Sequence, residues 1–592
     1  MRRLVLAVGL FLVAAGSAHA ADVPTSPVYD KNGHIIQTPL APPEQPTVLT
    51  QERAKAIFLA YPKVKNWLSR YPTRDRTTDA EFNKDLRYWQ VNVWWGKAGE
   101  IATGRVDDAT QHVTEAWTGP QVAWKMARGY KGAFGGTKIN SYSVWLSFCA
   151  FFLLGLVDWR RPLSLRNLDL LAMLSFSVSL WFFNRGNIFA SAPLAYPPLV
   201  YLIGRGLWIG FTGRAPRGRT LWPVWLLLAA TAFGAGFRVT EYNVRNSNVI
   251  DVGYSGVIGA ERIVAGQSPY GHMPDEGDLK PCGPKDQEGE IRERIQTNGR
   301  CESANPRGDT YGPVAYESYI PGYLAFGWSG KWDDLPAAHA TVIAFDLLCI
   351  LGLFLVGLRF GGSAFGATLA FAWTAYPFTQ YSSSSNTNDS LLPAFLIWGL
   401  WVVTSPPARS GFAALAGWTK FAALIVAPMW ITYRLTREQV LRALAGFAVA
   451  TLVAFSILLL EPNLGHAMRV FWDRTIPWQL SRDSPFSIWD WRQYHAKGIP
   501  YLHVLQRFLQ ALLVAAALVF ALVPRRKTPL QLAALTGALL LGFELVLTHW
   551  SYLYIPWFFP FVAYATLAPR AAPEPVPEPV VDERVPEAVP VS

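Results

Sequence analysis

The run AAHATVIAFDLLCILGLFLVG, residues 337–357, decides the fold class, because it is a nearly unbroken apolar segment of the length that crosses a bilayer. The rest of the chain has the same character: 51% of its 592 residues are apolar and only 16% are charged. Its 25 Trp and 23 Tyr are typical of the aromatic belts at membrane interfaces. The sequence therefore predicts a polytopic α-helical membrane protein.

Further apolar segments lie on both sides of this run, and short clusters of Lys and Arg separate them. The predicted crossings are residues 142–157, 168–184, 193–211, 222–238, 337–357, 363–379, 389–404, 441–460, 502–523, 530–548 and 552–567. The segment 411–431 has basic residues at both flanks, so we predict a helical hairpin with Lys420 near its tip. This gives about eleven crossings and one hairpin.

The net charge of +11 follows from these clusters, which mark cytoplasmic ends. No motif of a nucleic-acid-binding protein accompanies them, so nucleic acid is excluded as a partner. The lipid bilayer is the predicted environment, and the location is the plasma (inner) membrane. Signal, basic clusters and polar loops agree on one orientation, with the N-terminal domain and the large loops outside.

The predicted segments follow from changes in composition along the chain. They are a signal peptide (1–20), a flexible lead-in (21–48), an extracytoplasmic α+β domain (49–138), accessory transmembrane helices (139–220), a transmembrane core (221–568) with outer loops 239–335 and 461–500, and a disordered cytoplasmic Pro/Glu tail (569–592).

The small N-terminal domain combines a helical pattern over residues 51–71 with strand-like alternation in YWQVNVWWG (88–96) and HVTEAW (112–117). The intervening GEIATGRVDDATQ contains a turn-like polar break. Residues 88–117 resemble the PepSY-type module. The resemblance implies a binding or scaffolding role, so this domain is a candidate surface for a protein partner or for selecting a substrate.

Four cysteines divide into two kinds. Cys149 and Cys349 lie in apolar segments and are predicted to be packing residues. Cys282 and Cys301 share one polar loop, and an outside location permits a disulfide between them, the alternative being two free thiols.

Six motifs follow one another in order between residues 222 and 567. They are DVGYSGVIGAERIVAGQSPYG (251–271), DTYGPVAY (309–316), LPAAHATVIAFDLL (335–348), AYPFTQYSSSSNTNDSLLPAFL (375–396), GWTKFAALIVAPMW (417–430) and SPFSIWDW (484–491). Their succession resembles the GT-C superfamily of membrane glycosyltransferases, and most nearly glycosyltransferase family 87. The resemblance implies a sugar donor on a polyprenyl phosphate, of mannose or arabinose class, and an acceptor of the cell envelope.

Such a reaction needs a base for the acceptor hydroxyl and positive charge for the departing lipid phosphate. The resemblance implies that Asp251, in the first outer loop, is the base; Glu241 and Glu261 are the alternatives. Lys420 and Arg482 are the candidates for the phosphate. Each residue has a structural alternative: a solvated loop carboxylate, a lysine that extends to the interface, or a surface arginine.

Other polar residues lie near the outer ends of the predicted crossings and are candidates for sugar or acceptor binding. They are Tyr311, His339, Asn386, Asn388, Asp389 and His549. A polar turn that caps a helix and interfacial packing are the structural alternatives. Asp346 and Glu544 lie deep within crossings, where an interhelical hydrogen bond is at least as good an interpretation as a function.

No cofactor is predicted. The sequence shows no clear cluster of metal ligands, although Asp251 and Glu261 could together bind a divalent metal. Two other classes stay open: a transporter or flippase of lipid-linked sugars, and a membrane-anchored binding or sensor protein. The short inner loops and the large outer loop favour the glycosyltransferase.

Overall fold

The computed structural model describes residues 28–37, 46–285 and 291–569. The predicted signal peptide and nearly all of the predicted Pro/Glu tail lie outside these residues, as does most of the predicted lead-in. Within that lead-in, residues 28–37 form an antiparallel hairpin of β1 (Val28–Tyr29) and β2 (Ile35–Gln37). In this hairpin, Asp30 accepts hydrogen bonds from the backbone of Asn32 and His34 and closes the turn.

The residues before the first apolar helix form two short helices and a four-stranded sheet in which consecutive strands are neighbours. These elements are α1 (Gln51–Ala60), α2 (Pro62–Leu68), β3 (Arg76–Asn83), β4 (Tyr88–Trp95), β5 (Gly99–Asp107) and β6 (Val113–Thr118). The predicted single helix over 51–71 is divided at Tyr61, whose extended backbone precedes Pro62. The segment GEIATGRVDDATQ begins with strand β5, and the predicted turn within it is found at residues 108–110.

The chain divides into two compact units. The first contains the described residues up to Lys65, together with Thr78–Val93 and Thr103–Ala116. Its centre is Asp108, a buried carboxylate that accepts hydrogen bonds from the backbone of Val48 and Leu49 and from Trp89 Nε1, and pairs with Arg87. The turn after β5, which contains Asp108, therefore holds several segments of this unit together.

The second unit contains Asn66–Thr77, Trp94–Ala102 and the chain from Trp117 onward, and it is mainly helical. Its helices before the large polar loop are α3 (Pro120–Ala123), α4 (Gly136–Ile139), α5 (Tyr142–Leu156), α6 (Leu165–Phe183), α7 (Ile188–Leu194), α8 (Tyr196–Thr212) and α9 (Val224–Phe237), which a π-helical turn (Arg238–Val244) extends. The loop itself holds α10 (Asp251–Val264), β7 (Glu293–Ile295), β8 (Cys301–Ser303), α11 (Pro313–Glu317) and α12 (Ile320–Phe326). The strands β7 and β8 pair antiparallel, and a disulfide joins Cys282 to Cys301 beside them.

The remaining helices follow in order. They are α13 (Pro336–Ala375), α14 (Pro377–Ser384), α15 (Leu391–Trp401), α16 (Pro406–Thr419), α17 (Ala427–Ile431), α18 (Arg437–Phe455), α19 (Leu464–Arg474), α20 (Ile476–Ser481), α21 (His503–Leu522), α22 (Pro529–Val546) and α23 (Ile555–Leu567). Helix α13 is broken at Gly362, whose φ of 81° requires a residue without a side chain. Its two halves correspond to two separately predicted crossings.

Four helical segments within the described residues are long and apolar enough to cross a membrane: Pro336–Ala375, Arg437–Leu460, His503–Leu522 and Pro529–Val546. Shorter apolar helices cover Tyr142–Leu156, Phe421–Ile431 and Tyr552–Leu567. The prediction of a helical membrane protein with a small sheet-containing unit is confirmed. The count of eleven crossings stays a prediction.

Buried charges tie the helices together. Arg238 and Asp346 form a buried ion pair, with Nε 3.0 Å from Oδ2, and Trp373 Nε1 donates to the same carboxylate at 2.8 Å. Asp346 therefore has the interhelical partner that the sequence left open. Asp169 and Arg205 form a second such pair between α6 and α8. Losing one partner of a pair of this kind leaves an uncompensated buried charge, which costs about 3–5 kcal/mol.

Candidate functional site

Helix α10 begins at Asp251, and the backbone before it is fixed by the end of α14. Asn248 N donates to Ser384 O at 3.1 Å, and Ile250 N donates to Ser385 O at 3.2 Å. Asn386 completes this clamp through its side chain, whose Nδ2 donates to Ser247 Oγ at 2.9 Å and to Asn248 O at 3.0 Å. The position of Asp251 is therefore set by a rigid, buried loop.

Gly253, two residues into α10, packs against the same loop. A side chain there would begin 2.0 Å from the carbonyl oxygen of Asn386, which is backbone and cannot rotate away. We expect Gly253→Ala to lower the free energy of unfolding by about 1–3 kcal/mol, because the added methyl forces α10 off the clamp. Gly236→Ala is the matched control, since a methyl on that helical glycine meets nothing within 4 Å. Thermal unfolding of both purified variants in detergent measures this; equal unfolding temperatures would contradict it.

Three cavities lie around Asp251, and Asp251 is in the wall of two of them. The smallest one, here called the central cavity, has a volume of about 90 Å³, and Asp251, Tyr311, Asp389 and Arg482 are in its wall. The cationic cavity, of about 290 Å³, holds both Lys420 and Arg482. The wide cavity, of about 1060 Å³, has Asp251 in its wall.

The three cavities share walls. Tyr311, Arg482, His549 and Tyr554 line both the cationic and the central cavity. Met126, Ile250 and Asp251 line both the central and the wide cavity. A molecule in the cationic cavity and another in the wide cavity would therefore meet at the central one.

Lys420 lies at the C-terminal end of α16, at the junction with the 3-10 turn Phe421–Val426. Its ammonium is 3.1 Å from Asp389 Oδ1, and both side chains are buried. Three rings surround it: Tyr311 at 4.7 Å, Tyr554 at 5.5 Å and Trp557 at 5.7 Å from their centroids. This cation is thus fixed in place by a carboxylate and an aromatic cage.

Asp389 has further partners that hold it on the side of Lys420. Trp557 Nε1 donates to its Oδ1 at 3.0 Å, and the hydroxyl of Thr387 donates to its Oδ2. Asp389 was predicted to bind sugar, and the structure places it in the wall of the central cavity as the counter-ion of Lys420.

The Asp251 side chain is exposed, but its exposed surface faces the central and wide cavities. Burial among the surrounding protein raises the pKa of the Asp251 carboxyl above its ordinary value, and the nearby Asp389 carboxylate adds to this rise. The positive charges of Arg482 and Lys420 act in the opposite direction on the same pKa. A carboxylate with a raised pKa is a stronger base, which suits proton removal from a hydroxyl.

His549 lies between α22 and α23 and lines both the cationic and the central cavity. Burial lowers the pKa of His549 to about 3, and the charges of Arg482 and Lys420 contribute to this. The imidazole is therefore neutral at pH 7, and its ring packs against Trp124 with centroids 5.6 Å apart. A neutral ring can donate or accept one hydrogen bond without adding charge to the site.

The two alternative bases lie elsewhere. Glu241 accepts a hydrogen bond from Asn246 and pairs with Arg245, and it is not in the wall of the three cavities. Glu261 is buried further along α10 and pairs with both Arg262 and Arg300. Its carboxylate is therefore occupied by two arginines, and it lines none of the three cavities.

Three predicted binding residues are held inside the protein. His339 Nδ1 is 2.9 Å from Asn243 Oδ1, and Asn243 in turn donates to Asn386 Oδ1. His339 and Asn386 therefore belong to the hydrogen-bond network that holds the backbone before Asp251, and neither lines the three cavities. Asn388 is fully buried, and its amide has no hydrogen-bond partner among the described residues.

Several residues of the site had no signal that identified them in the sequence. Tyr554 and Trp557, which surround Lys420, lie in the run YLYIPWFF and are indistinguishable there from an interfacial aromatic belt. Trp124 and Met126 line the central cavity but come from a segment without a clear pattern. Their role depends on contacts with residues hundreds of positions away.

The described residues contain no group of three or more His, Cys, Asp or Glu side chains placed to hold a metal ion. Comparison of the chain with protein-family models, with curated proteins and with solved structures gives no match. The resemblance to GT-C enzymes therefore rests on the six quoted motifs.

Proposed function

We propose that this protein is an integral membrane glycosyltransferase that moves a sugar from a polyprenyl-phosphate donor to an acceptor of the cell envelope. The observation that carries the proposal is the position of Asp251 between the cationic cavity, which Lys420 and Arg482 line, and the wide cavity. A base with a raised pKa, next to a site for a phosphate, is what transfer from a lipid phosphate needs.

The proposed reaction uses these groups in one displacement. The acceptor hydroxyl gives its proton to Asp251 while its oxygen bonds to the anomeric carbon. The bond from that carbon to the phosphate oxygen breaks, and the leaving lipid phosphate keeps the electron pair. Lys420 and Arg482 stabilise its negative charge, which develops as the sugar passes through an oxocarbenium-like state.

The cationic cavity suits the lipid end of the donor. Its wall combines the two cations with Phe421, Leu480 and Phe543, so one molecule with a phosphate and a hydrocarbon chain matches both parts. The wide cavity suits a glycan, because the exposed ring of Tyr130 lines it together with Asn246 and Asn248. The sugar of the donor is proposed to be mannose or arabinose from the resemblance.

The proposed topology has eleven crossings and one hairpin in the plasma membrane, with the site outside. The helices found over every predicted crossing support it, as do the basic residues at one set of helix ends. Fusing a reporter that is active only inside the cell after Arg161 and, separately, after Arg262 tests this. Activity is expected for the first fusion alone.

Transfer itself is tested with purified protein in nanodiscs and a labelled polyprenyl-phosphate mannose or arabinose. Label that appears in a cell-envelope glycan fraction supports the glycosyltransferase. In sealed vesicles, movement of the label across the bilayer without transfer would support a flippase and overturn the proposal.

The pH dependence of transfer should report the environment of Asp251. Transfer falls as pH is lowered through the raised pKa, because the protonated carboxyl cannot accept the proton. Arg482 lowers that pKa, so Arg482→Gln is expected to shift the acidic limb of the rate profile to higher pH. The profile is measured at saturating donor, so that weaker phosphate binding does not enter.

Arg469→Gln is the matched control for this shift. Arg469 is an exposed arginine of the same loop, 461–500, and lines none of the three cavities. Its variant should keep the wild-type limb. A limb that does not move in Arg482→Gln, or that moves to lower pH, would contradict the proposed electrostatics.

A further inference from the structure

A fourth cavity, of about 630 Å³, lies at the other end of the helices from Asp251. Its wall includes Arg161, Arg205, Arg214, Arg217, Leu165 and Trp208. We call it the arginine cavity. It is formed by the turn between α5 and α6, the end of α8 and the chain that follows α8.

The position of the arginine cavity follows from α9. Arg219 N donates to Asp158 Oδ2 at 3.2 Å, and Arg166 Nη2 donates to Thr220 Oγ1 at 2.9 Å. These bonds hold the two loops together just before α9 begins, whereas Asp251 follows the far end of α9 and its π-helical turn. A ligand of this cavity is therefore separate from the donor and the acceptor.

Three of its arginines lack carboxylate partners. Arg161, Arg214 and Arg217 have no Asp or Glu oxygen within 4 Å among the described residues, whereas Arg205 is paired with Asp169. Three like charges around one cavity repel one another, and a bound anion would relieve that repulsion. The planar fork of arginine is suited to the oxygens of a phosphate.

The rim of the cavity is apolar and faces outward. Leu163 is 100% exposed, Trp208 is 59% exposed and Leu165 is 53% exposed. Leu163 precedes α6, Leu165 is the first residue of α6 and Trp208 lies in α8, so in the proposed topology all three lie at an interface of the bilayer. An inorganic anion would leave these side chains uncovered, whereas acyl chains would cover them.

We propose that the arginine cavity binds the phosphate of an anionic membrane phospholipid, with its acyl chains against Leu163, Leu165 and Trp208. Basic cavities between transmembrane helices recognise such headgroups through the combined field of their cations. The bound lipid joins the α5–α6 turn to the end of α8 and so stabilises the accessory helices.

The test uses the full chain in phosphatidylcholine nanodiscs, with phosphatidylglycerol as the probe and native mass spectrometry as the readout. The variant Arg161→Gln/Arg214→Gln/Arg217→Gln is expected to bind about a hundredfold more weakly, since each basic residue near an anionic lipid contributes about tenfold or less. The control variant Arg160→Gln/Arg219→Gln removes two exposed arginines of the same loops that do not line the cavity. It should bind phosphatidylglycerol as the wild type does.

Further measurements distinguish a phospholipid from free phosphate as the ligand. They also test the proposal if the triple variant is unstable. The single variant Arg214→Gln is expected to bind phosphatidylglycerol severalfold more weakly. Added phosphatidylglycerol should also raise its unfolding temperature less than that of the wild type. Equal affinity of wild type and triple variant would overturn the proposal. Displacement of the lipid by micromolar inorganic phosphate would contradict a phospholipid as the ligand, because it would show that the phosphate alone is sufficient for binding.

Discussion

Asp251→Asn is expected to lower the rate of transfer by about a hundredfold to ten-thousandfold, the usual contribution of a general base. The amide has the shape of the carboxylate but cannot take the proton of the acceptor hydroxyl. The clamp on the preceding backbone stays intact, because its hydrogen bonds come from Asn248, Ile250 and Asn386. The variant should therefore fold, insert and bind the donor with wild-type affinity. Transfer and donor binding are measured separately on the purified protein.

Glu241→Gln serves as its control. Glu241 was an alternative base, it lies ten residues before Asp251, and it is bound to Asn246 outside the cavities. Its variant should keep transfer within about twofold, as partly exposed substitutions usually do. Wild-type transfer by folded Asp251→Asn would contradict the assignment of Asp251 as the base. Loss of transfer in Glu241→Gln would assign that role to Glu241.

Lys420→Met is expected to have two effects that can be separated. Removing the ammonium leaves Asp389 buried without its counter-ion, which should lower the free energy of unfolding by about 3–5 kcal/mol. It also removes one of the two cations in the cationic cavity, so kcat/KM for the donor should fall by about a hundredfold or more.

The double variant Asp389→Asn/Lys420→Met distinguishes a structural role from phosphate binding. Stability should largely return, since no buried charge is left unpaired, whereas donor use should stay low. Recovery of both would make Lys420 a purely structural residue and would contradict its proposed role.

Lys527→Met is the matched control, because Lys527 is also a buried lysine, bound to the carbonyls of Ala521 and Pro524, and lines none of the three cavities around Asp251. It should lose stability without changing the donor dependence.

The helical framework could be predicted from the sequence because apolar runs of membrane length have few alternative structures. The break at Gly362 falls between the crossings predicted at residues 337–357 and 363–379. Strand β3 escaped prediction, since RTTDAEFN offers only Ala80 and Phe82 as apolar residues. Strand β5 was obscured by its glycines and charges, and Gly104 is there because Phe58 and the carbonyl of Glu115 leave no room for a side chain.

The candidate site was predictable as a set of unusual residues but not as an arrangement. Lys420 stands out because an ammonium in an apolar segment is costly, whereas Asp251 and Arg482 were candidates through the resemblance and the chemistry it implies. Their approach to one another depends on packing between helices far apart in the chain, which no local pattern encodes. The same packing moved Asn386 and His339 from proposed ligands to the support of the backbone before Asp251.

The ion pair between Arg238 and Asp346 has a consequence for how the chain enters the bilayer. Each charge alone is expensive in hydrocarbon, and about a hundred residues of polar loop separate the two. If α9 crosses the bilayer as proposed, Arg238 at its end has no buried counter-ion until α13 is inserted with Asp346. In that topology, a chain truncated within the loop would keep an arginine without its buried partner, and we expect such a fragment to insert less well than the full chain.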